Sequence, residues 1–195
     1  IREQGTSYLA KGQAKLLATD EMGIFGEHNV ANALAALALG EAVNIPMAAM
    51  LQTLKEFTGL KHRCQLVTKH QGVAWYNDSK GTNVGATLAA INGLGAAIRG
   101  KVLLIAGGVG KGQDFSPLSP ALAQYGKALI LLGEDADKID QSVNADIKKV
   151  HVPSLVEAVK QAQQLAKEGD AILLSPACAS FDMFKHYEDR GEQFV

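Results

Sequence analysis

Three short clusters in the sequence set charged and hydroxyl side chains among small residues, a combination suited to gripping anionic ligands. Residues 77–83, NDSKGTN, bring a carboxylate, an ammonium and two hydroxyls together just after Trp75 and Tyr76. Asp78 could accept hydrogen bonds from ribose hydroxyls, and Lys80 could neutralise a phosphate or carboxylate. Thr82 falls near the start of a predicted helix, where backbone N–H groups and the helix dipole favour anions. The same stretch also fits a plain capped turn, with Asp78 or Ser79 as N-cap and Lys80 solvated.

Residues 107–115, GGVGKGQDF, follow an apolar run, and their glycines let the backbone approach a ligand closely. Neither common phosphate fingerprint is present. A Walker A loop needs Ser or Thr after its Gly-Lys pair, whereas Gly112 follows Lys111; G-x-G-x-x-G needs a two-residue gap that Gly108, Gly110 and Gly112 lack. What remains is one lysine on a glycine-rich loop, or simply a glycine turn. Residues 175–184, SPACASFDMF, crowd small side chains together, and Ser180 could donate to a carboxylate. A nucleophilic role for Ser180 would need a histidine base such as His186, but no G-x-S-x-G elbow is present. Cys178 reads as a small buried residue.

Asn29 and Asn32, three apart on an otherwise apolar helix, share a face. They read as two buried amides, which need partners that a cap, a loop or a purine edge would supply. His28 reads as structural. His62, His70 and His151 show no ligand spacing, so no metal site is expected.

The elements that must carry these clusters follow from hydrophobic periodicity. Residues 28–43 are apolar on nearly every face and predict a buried helix. Pro46 opens a second helix with Met47, Met50, Leu51, Leu54 and Phe57 as its stripe, ending at Gly59. A short strand-like segment at 15–19 precedes them. Beyond residue 60, strands are predicted at 65–68, 73–76, 101–106, 128–132, 149–152 and 171–174. Helices are predicted at 82–94, 117–124, 136–143 and 155–167, with a polar one at the end; Leu155, Val159, Ala162 and Ala166 form the apolar face of 155–167. Alternating strands and helices with continuous apolar strands imply an α/β fold: a Rossmann-like, mostly parallel sheet flanked by helices, preceded by a mainly helical segment. The clusters all fall just after strands, where such sheets bind ligands.

The 195 residues allow one or two domains, with a boundary near residues 59–63. With 47% hydrophobic and 20% charged residues and a net charge of -1, nothing favours nucleic acid or an anionic membrane as partner. The two cysteines are too far apart for a metal motif and predict no disulfide framework. The longest apolar stretch, 33–39, is far too short to cross a bilayer, so no membrane insertion is expected. A first residue of Ile1 leads us to expect a processed, truncated or excised segment.

Taken together, GEHNVANALAA (26–36), HR (62–63), NDSKGTN, GGVGKGQDF and LLSPACASFDMFKHYEDRGEQF (173–194) resemble the Mur ligases, the amide-forming enzymes of peptidoglycan synthesis. The resemblance spans nearly the whole chain in order. The G-x-H-N-x-x-N-x-x-A-A helix is widespread in the family; NDSKGTN and SPACASFDMF…YEDRG are similar to the branch that adds D-glutamate. Such enzymes have a UDP-sugar domain, a central ATPase and a carboxy-terminal Rossmann-like domain. The resemblance implies that residues 1–60 end the ATP-binding domain and that 61–195 form the third domain. The Walker A loop, the metal-binding glutamate and histidine, and a carbamylated lysine would lie in upstream domains of the same polypeptide. This chain alone is therefore expected to be inactive.

By the same resemblance, Asn29 and Asn32 would lie beside adenine, Arg63 would approach the ATP phosphates, and Asp78 would hold the ribose. Lys80, Thr82, Lys111 and Ser180 would surround D-glutamate. Tyr187, where the family often has phenylalanine, would close that pocket. ATP with magnesium would activate the carboxylate of UDP-N-acetylmuramoyl-L-alanine as an acyl phosphate, which the D-glutamate amine attacks, in the cytoplasm. Residues 59–63 would serve as a hinge for domain closure. Two readings stay open beside this one: a related ligase adding another acidic amino acid, such as L-glutamate or D-aspartate, and a nucleotide-binding Rossmann module.

Overall fold

The computed structural model describes residues 1–24 and 26–195; the side chain of His28 lies outside the described residues. The chain divides into two compact units, Ile1–Gly59 and Leu60–Val195.

The first unit begins with strands. β1 (Arg2–Glu3), β2 (Thr6–Lys11) and β3 (Ala14–Ala18) form an antiparallel sheet in which Leu9 faces Leu17. Only a short segment at 15–19 was legible as strand-like, because the apolar alternation of β2 is brief. After a 3₁₀ turn at Thr19–Glu21 come α1 (Glu27–Ala42) and α2 (Met47–Glu56). Leu9, Leu17, Met22, Ala33, Leu37 and Leu54 make the core of this unit. A Cβ on Gly40 would lie 2.3 Å from Met50 Sδ, so a larger residue there would make the Met50 side chain shift.

The expectation of a buried helix over 28–43 is corrected. Among its described residues α1 buries only the line of Ala33, Leu37 and Gly40, while Leu39 is 71% exposed. Within this unit α2 and the small sheet cover one stripe of α1, and uniform Ala/Leu composition cannot tell a covered face from a bare one.

The second unit is a six-stranded sheet in the order β4-β5-β9-β6-β7-β8. β4 (Gln65–His70) and β5 (Val73–Asn77) form an antiparallel hairpin. Its turn residues Gln71 and Gly72 both have positive φ, 50° and 74°, as a tight hairpin turn demands. The remaining pairs are parallel: β6 (Val102–Gly107), β7 (Gly126–Leu132), β8 (Lys148–His151) and β9 (Ala171–Leu174). β6 and β9 are buried throughout and β7 nearly so, as their continuous apolar runs require.

Alternation along these strands builds two cores. Leu104, Ala106, Leu129, Leu131 and Leu173 face one way with residues of α3 (Val84–Ala97), α4 (Leu118–Tyr125) and α5 (Ala136–Ser142). Leu103, Ile105, Ile130, Ile172 and Leu174 face the other way, with α6 (Leu155–Leu165) and Phe194 of α7 (Tyr187–Phe194). On α6 the fully buried positions are Leu155, Ala158 and Ala162, with Val159 and Ala166 at the margin.

β9 enters from α6 and inserts between β5 and β6. Asp170 fixes its entry by accepting hydrogen bonds from Lys101 N (2.9 Å) and Lys167 N (2.8 Å) and by pairing with Lys127. Burial works to raise the Asp170 pKa, but these donors overcome it and hold the carboxyl below its ordinary value.

Candidate functional site

Because β9 inserts there, the loops that follow β5, β9 and β6 leave three neighbouring strands at one rim. These are the loops carrying Lys80 and Thr82, Ser180, and Lys111. Main-chain hydrogen bonds stitch them together. Asp78 N donates to Leu174 O (2.8 Å), Gly107 N to Pro176 O (2.9 Å), and Ala177 N to Gly81 O (2.9 Å). Val109 and Ala179 exchange bonds of 3.0 and 2.9 Å. A Cβ on Gly108, whose φ is 121°, would sit 2.2 Å from Ala179 O, so the paired glycines at the end of β6 allow this approach.

Asp78 sits inside the junction, 8% exposed. Its carboxylate accepts from Cys64 N (3.0 Å) and from Ser175 Oγ (2.6 Å), and Ser175 Oγ lies 3.0 Å from Thr87 Oγ1. Burial pushes the Asp78 pKa from 3.8 up to about 6, against the opposing pull of Ser175, the Cys64 N–H and Arg63. A folded-state value above the unfolded one favours the folded protein at low pH. That contribution is complete below about 3.8 and is lost as pH rises through about 6, a change on the order of 3 kcal/mol. We expect Asp78→Asn to remove this dependence, so that the variant gains stability relative to the parent between pH 4 and pH 7 in urea unfolding. A parent-to-variant difference that stays flat across that range would contradict it.

Helix α3 is capped by Asn83, whose Oδ1 accepts from Ala86 N at 2.9 Å. This corrects the capped-turn reading of Asp78 or Ser79: helical geometry begins later, after the loop has crossed to β9. Val84 N is also occupied, donating to Gln113 Oε1 at 2.9 Å. Anion attraction at this helix end therefore rests more on the dipole and nearby side chains than on those two amides.

The cations sit around this frame. Lys80 is exposed, with Nζ 5.2 Å from the Tyr187 ring centroid, within cation–π range. The Tyr187 ring meets that of His62 edge-on, 6.0 Å between centroids, and Tyr187 O accepts from Ser79 Oγ at 2.7 Å. Lys111 is exposed with a left-handed φ of 54°. Arg63 is exposed at the start of the second unit; Thr82 is half-buried; Ser180 is 2% exposed. Asn29 and Asn32 stand on α1 in the first unit. The expectation of a buried amide pair there is corrected: Asn32 is exposed and Asn29 half-buried, 3.5 Å apart through Asn32 Nδ2 and Asn29 Oδ1.

Several residues of this site drew no attention in the sequence. Arg190, 2% exposed, donates to Ser79 Oγ (3.0 Å), Ser79 O (2.9 Å) and Cys178 O (3.1 Å), clamping two of the loops. Burial lowers its pKa to about 10, so it remains a cation at neutral pH. Asn77 Nδ2 donates to Gly191 O (3.0 Å) and lies 3.1 Å from His62 Nδ1, an arrangement that leaves the His62 proton on Nε2 when the ring is neutral. The YEDRG signature contained Arg190, but nothing in its spacing distinguishes a buried guanidinium from a solvated one.

Nucleophilic chemistry finds no support here. Burial pushes the Cys178 thiol up to about 12. His186 Nδ1 is the N-cap acceptor of α7, bonded to Asp189 N at 3.1 Å. Among the described residues no three His, Cys, Asp or Glu side chains are grouped to hold a metal, and no helix is long and apolar enough to cross a membrane.

The Mur ligase, glutamate ligase domain matches residues 62–178, and the chain belongs to this family. Among curated relatives, a UDP-N-acetylmuramoylalanine--D-glutamate ligase of Acinetobacter baylyi is 58% identical over 99% of this chain. The chain spans 44% of that relative's length. Two solved structures share the fold at low identity. A UDP-N-acetylmuramate-alanine ligase of Thermotoga maritima has a TM-score of 0.71 at 18% identity, over 97% of this chain and 42% of that one. A bifunctional folylpolyglutamate synthase/dihydrofolate synthase of Yersinia pestis, complexed with AMPPNP and Mn ion, has a TM-score of 0.61 at 24% identity, over 78% and 36%.

Proposed function

We propose that this chain is the carboxy-terminal part of a ligase that joins D-glutamate to UDP-N-acetylmuramoyl-L-alanine at the expense of ATP, in cytoplasmic peptidoglycan synthesis. The observation that carries the reading is the meeting of the Lys80, Lys111 and Ser180 loops at one rim of the sheet. D-glutamate has two carboxylates and must offer a neutral amine. Lys80 and Lys111 neutralise the carboxylates, and the hydroxyls of Thr82 and Ser180 donate to them. Anchoring both ends fixes the amine, and that restriction supplies much of the rate gain in amide formation.

Tyr187 closes the pocket and steers Lys80 through its ring. Asp78 suits the ribose: each carboxylate oxygen accepts one bond within the chain and keeps a further lone pair for a hydroxyl. Arg63 is assigned to the phosphates, and Asn29 and Asn32 to adenine. Residues 1–60 are assigned to the end of the ATP-binding domain and 61–195 to the ligase's third domain. Magnesium has no ligand set assigned in this segment; its ligands are placed in the upstream domains, and bound there it would offset charge on the phosphates. The amide forms when the amine of D-glutamate attacks the activated carboxyl of the UDP-linked alanine and phosphate leaves. The fragment by itself is expected to show no turnover.

Amino-acid selectivity in the complete ligase carrying this segment tests the reading. Phosphate release with D-glutamate should exceed that with L-glutamate or D-aspartate by about 100-fold in kcat/KM, as expected where a site pairs each polar group of its substrate and leaves some unpaired with an analogue. Equal use of the three, or a preference for either competitor, would assign the pocket to a sister ligase.

A further inference from the structure

The side-chain amide of Gln113 is used at both ends. Its Oε1 accepts from Val84 N (2.9 Å) at the start of α3, and its Nε2 donates to Gly110 O (3.0 Å) and Ala177 O (2.7 Å). One side chain thus ties the loop after β5, its own loop and the loop after β9. Its backbone N–H also returns to Gly110 O at 3.2 Å, closing a turn over residues 110–113. The two central residues of that turn, Lys111 and Gly112, both have left-handed φ values, 54° and 73°. Glycine adopts such values freely; for lysine they are disfavoured and persist only where the surroundings impose them. The near end of the turn is held as well, because Gly110 N donates to Asp135 Oδ2 at 2.7 Å.

We propose that Gln113 is a positioning residue for the amino-acid substrate: it locks the 110–113 turn so that Lys111 is presented to a dicarboxylate, and it registers that lysine against the loops bearing Thr82 and Ser180. Gln113 touches neither substrate nor nucleotide in this scheme; it acts through Lys111. An amide is the group that fits, since the site asks for one acceptor and two donors at the end of a three-carbon arm. A carboxylate in its place would set a negative charge against the Gly110 and Ala177 carbonyl oxygens and near the substrate's own carboxylates. The inference rests on the reading of Lys111 as a D-glutamate ligand.

The test uses the complete ligase. Gln113→Ala should raise KM for D-glutamate about tenfold, leave KM for ATP within about twofold, and keep kcat within about threefold, as expected for lost ground-state and transition-state anchoring of one substrate. Gln113→Glu should raise the same KM further, by about 100-fold. The double variant Lys111→Ala/Gln113→Ala should be no worse than Lys111→Ala alone, because the two residues act in series. If Lys111→Ala impairs D-glutamate use while Gln113→Ala matches the parent, the positioning role is wrong and the substrate assignment stands. If Lys111→Ala itself changes nothing, both fall. If Gln113→Ala raises the KM values of ATP and D-glutamate together and lowers the melting temperature, or if the Lys111 and Gln113 effects multiply, Gln113 is an ordinary structural residue and the proposal fails.

Discussion

Replacing Lys111 by alanine in the complete ligase is expected to lower kcat/KM for D-glutamate by about 10²–10³-fold, with Thr82→Ala costing about fivefold. A charge-assisted hydrogen bond to a carboxylate is worth roughly twice a neutral one, and removing one partner of such a pair in a desolvated pocket typically costs 2–5 kcal/mol. Each 1.36 kcal/mol is a tenfold change in rate. Thr82 contributes a neutral donor, worth about 1 kcal/mol. Lys111 carries no other duty in the fold to confuse the result: it is exposed, and its turn is held by Gln113 and Asp135. The stability of the Lys111→Ala protein should therefore match the parent's. Steady-state phosphate release against D-glutamate concentration measures the effect. Normal activity in both variants would remove the pocket from this rim.

Arg190→Met should destabilise the chain by about 3 kcal/mol. Two physical effects oppose each other. Removing a buried cation with no carboxylate in direct contact relieves a desolvation cost, which burial records in its pKa of about 10. Against that, Ser79 O and Cys178 O each lose a donor in fully buried residues, while Ser79 Oγ keeps its bond to Tyr187 O. Unsatisfied buried groups cost about 1–3 kcal/mol each, and two of them outweigh the relief. Arg190→Lys keeps the charge but not the fork, so it should recover only part of the loss. Urea unfolding followed by the fluorescence of Trp75, the single tryptophan, reads the second unit directly, since its ring packs 6.0 Å from Phe194 of α7. A midpoint unchanged in Arg190→Met would mean that the guanidinium is dispensable to the frame.

Much of the second unit was readable along the chain. The runs VLLIAG, ALILL and AILL are apolar without interruption, and a strand buried on both faces has to look that way. The strands predicted at 65–68 and 73–76 fall within β4 and β5, and the three clusters follow strand ends. The first unit was less legible. β2 carries too short an alternation to stand out, and the Ala/Leu composition of α1 hid how little of it this unit covers.

Periodicity along the chain was enough to locate the strands of the second unit and the residue types at their carboxyl ends. These are local properties, set by periodicity and turn chemistry within a few residues. The place of β9 between β5 and β6, the burial of Asp78 against Ser175, and the ties that Gln113 and Arg190 make between loops arise from the folded chain. Those outcomes depend on pairings between residues from 12 to 111 positions apart. Their hydrogen bonds are made by ordinary polar side chains that look the same in sequence whether they end up bonded or solvated.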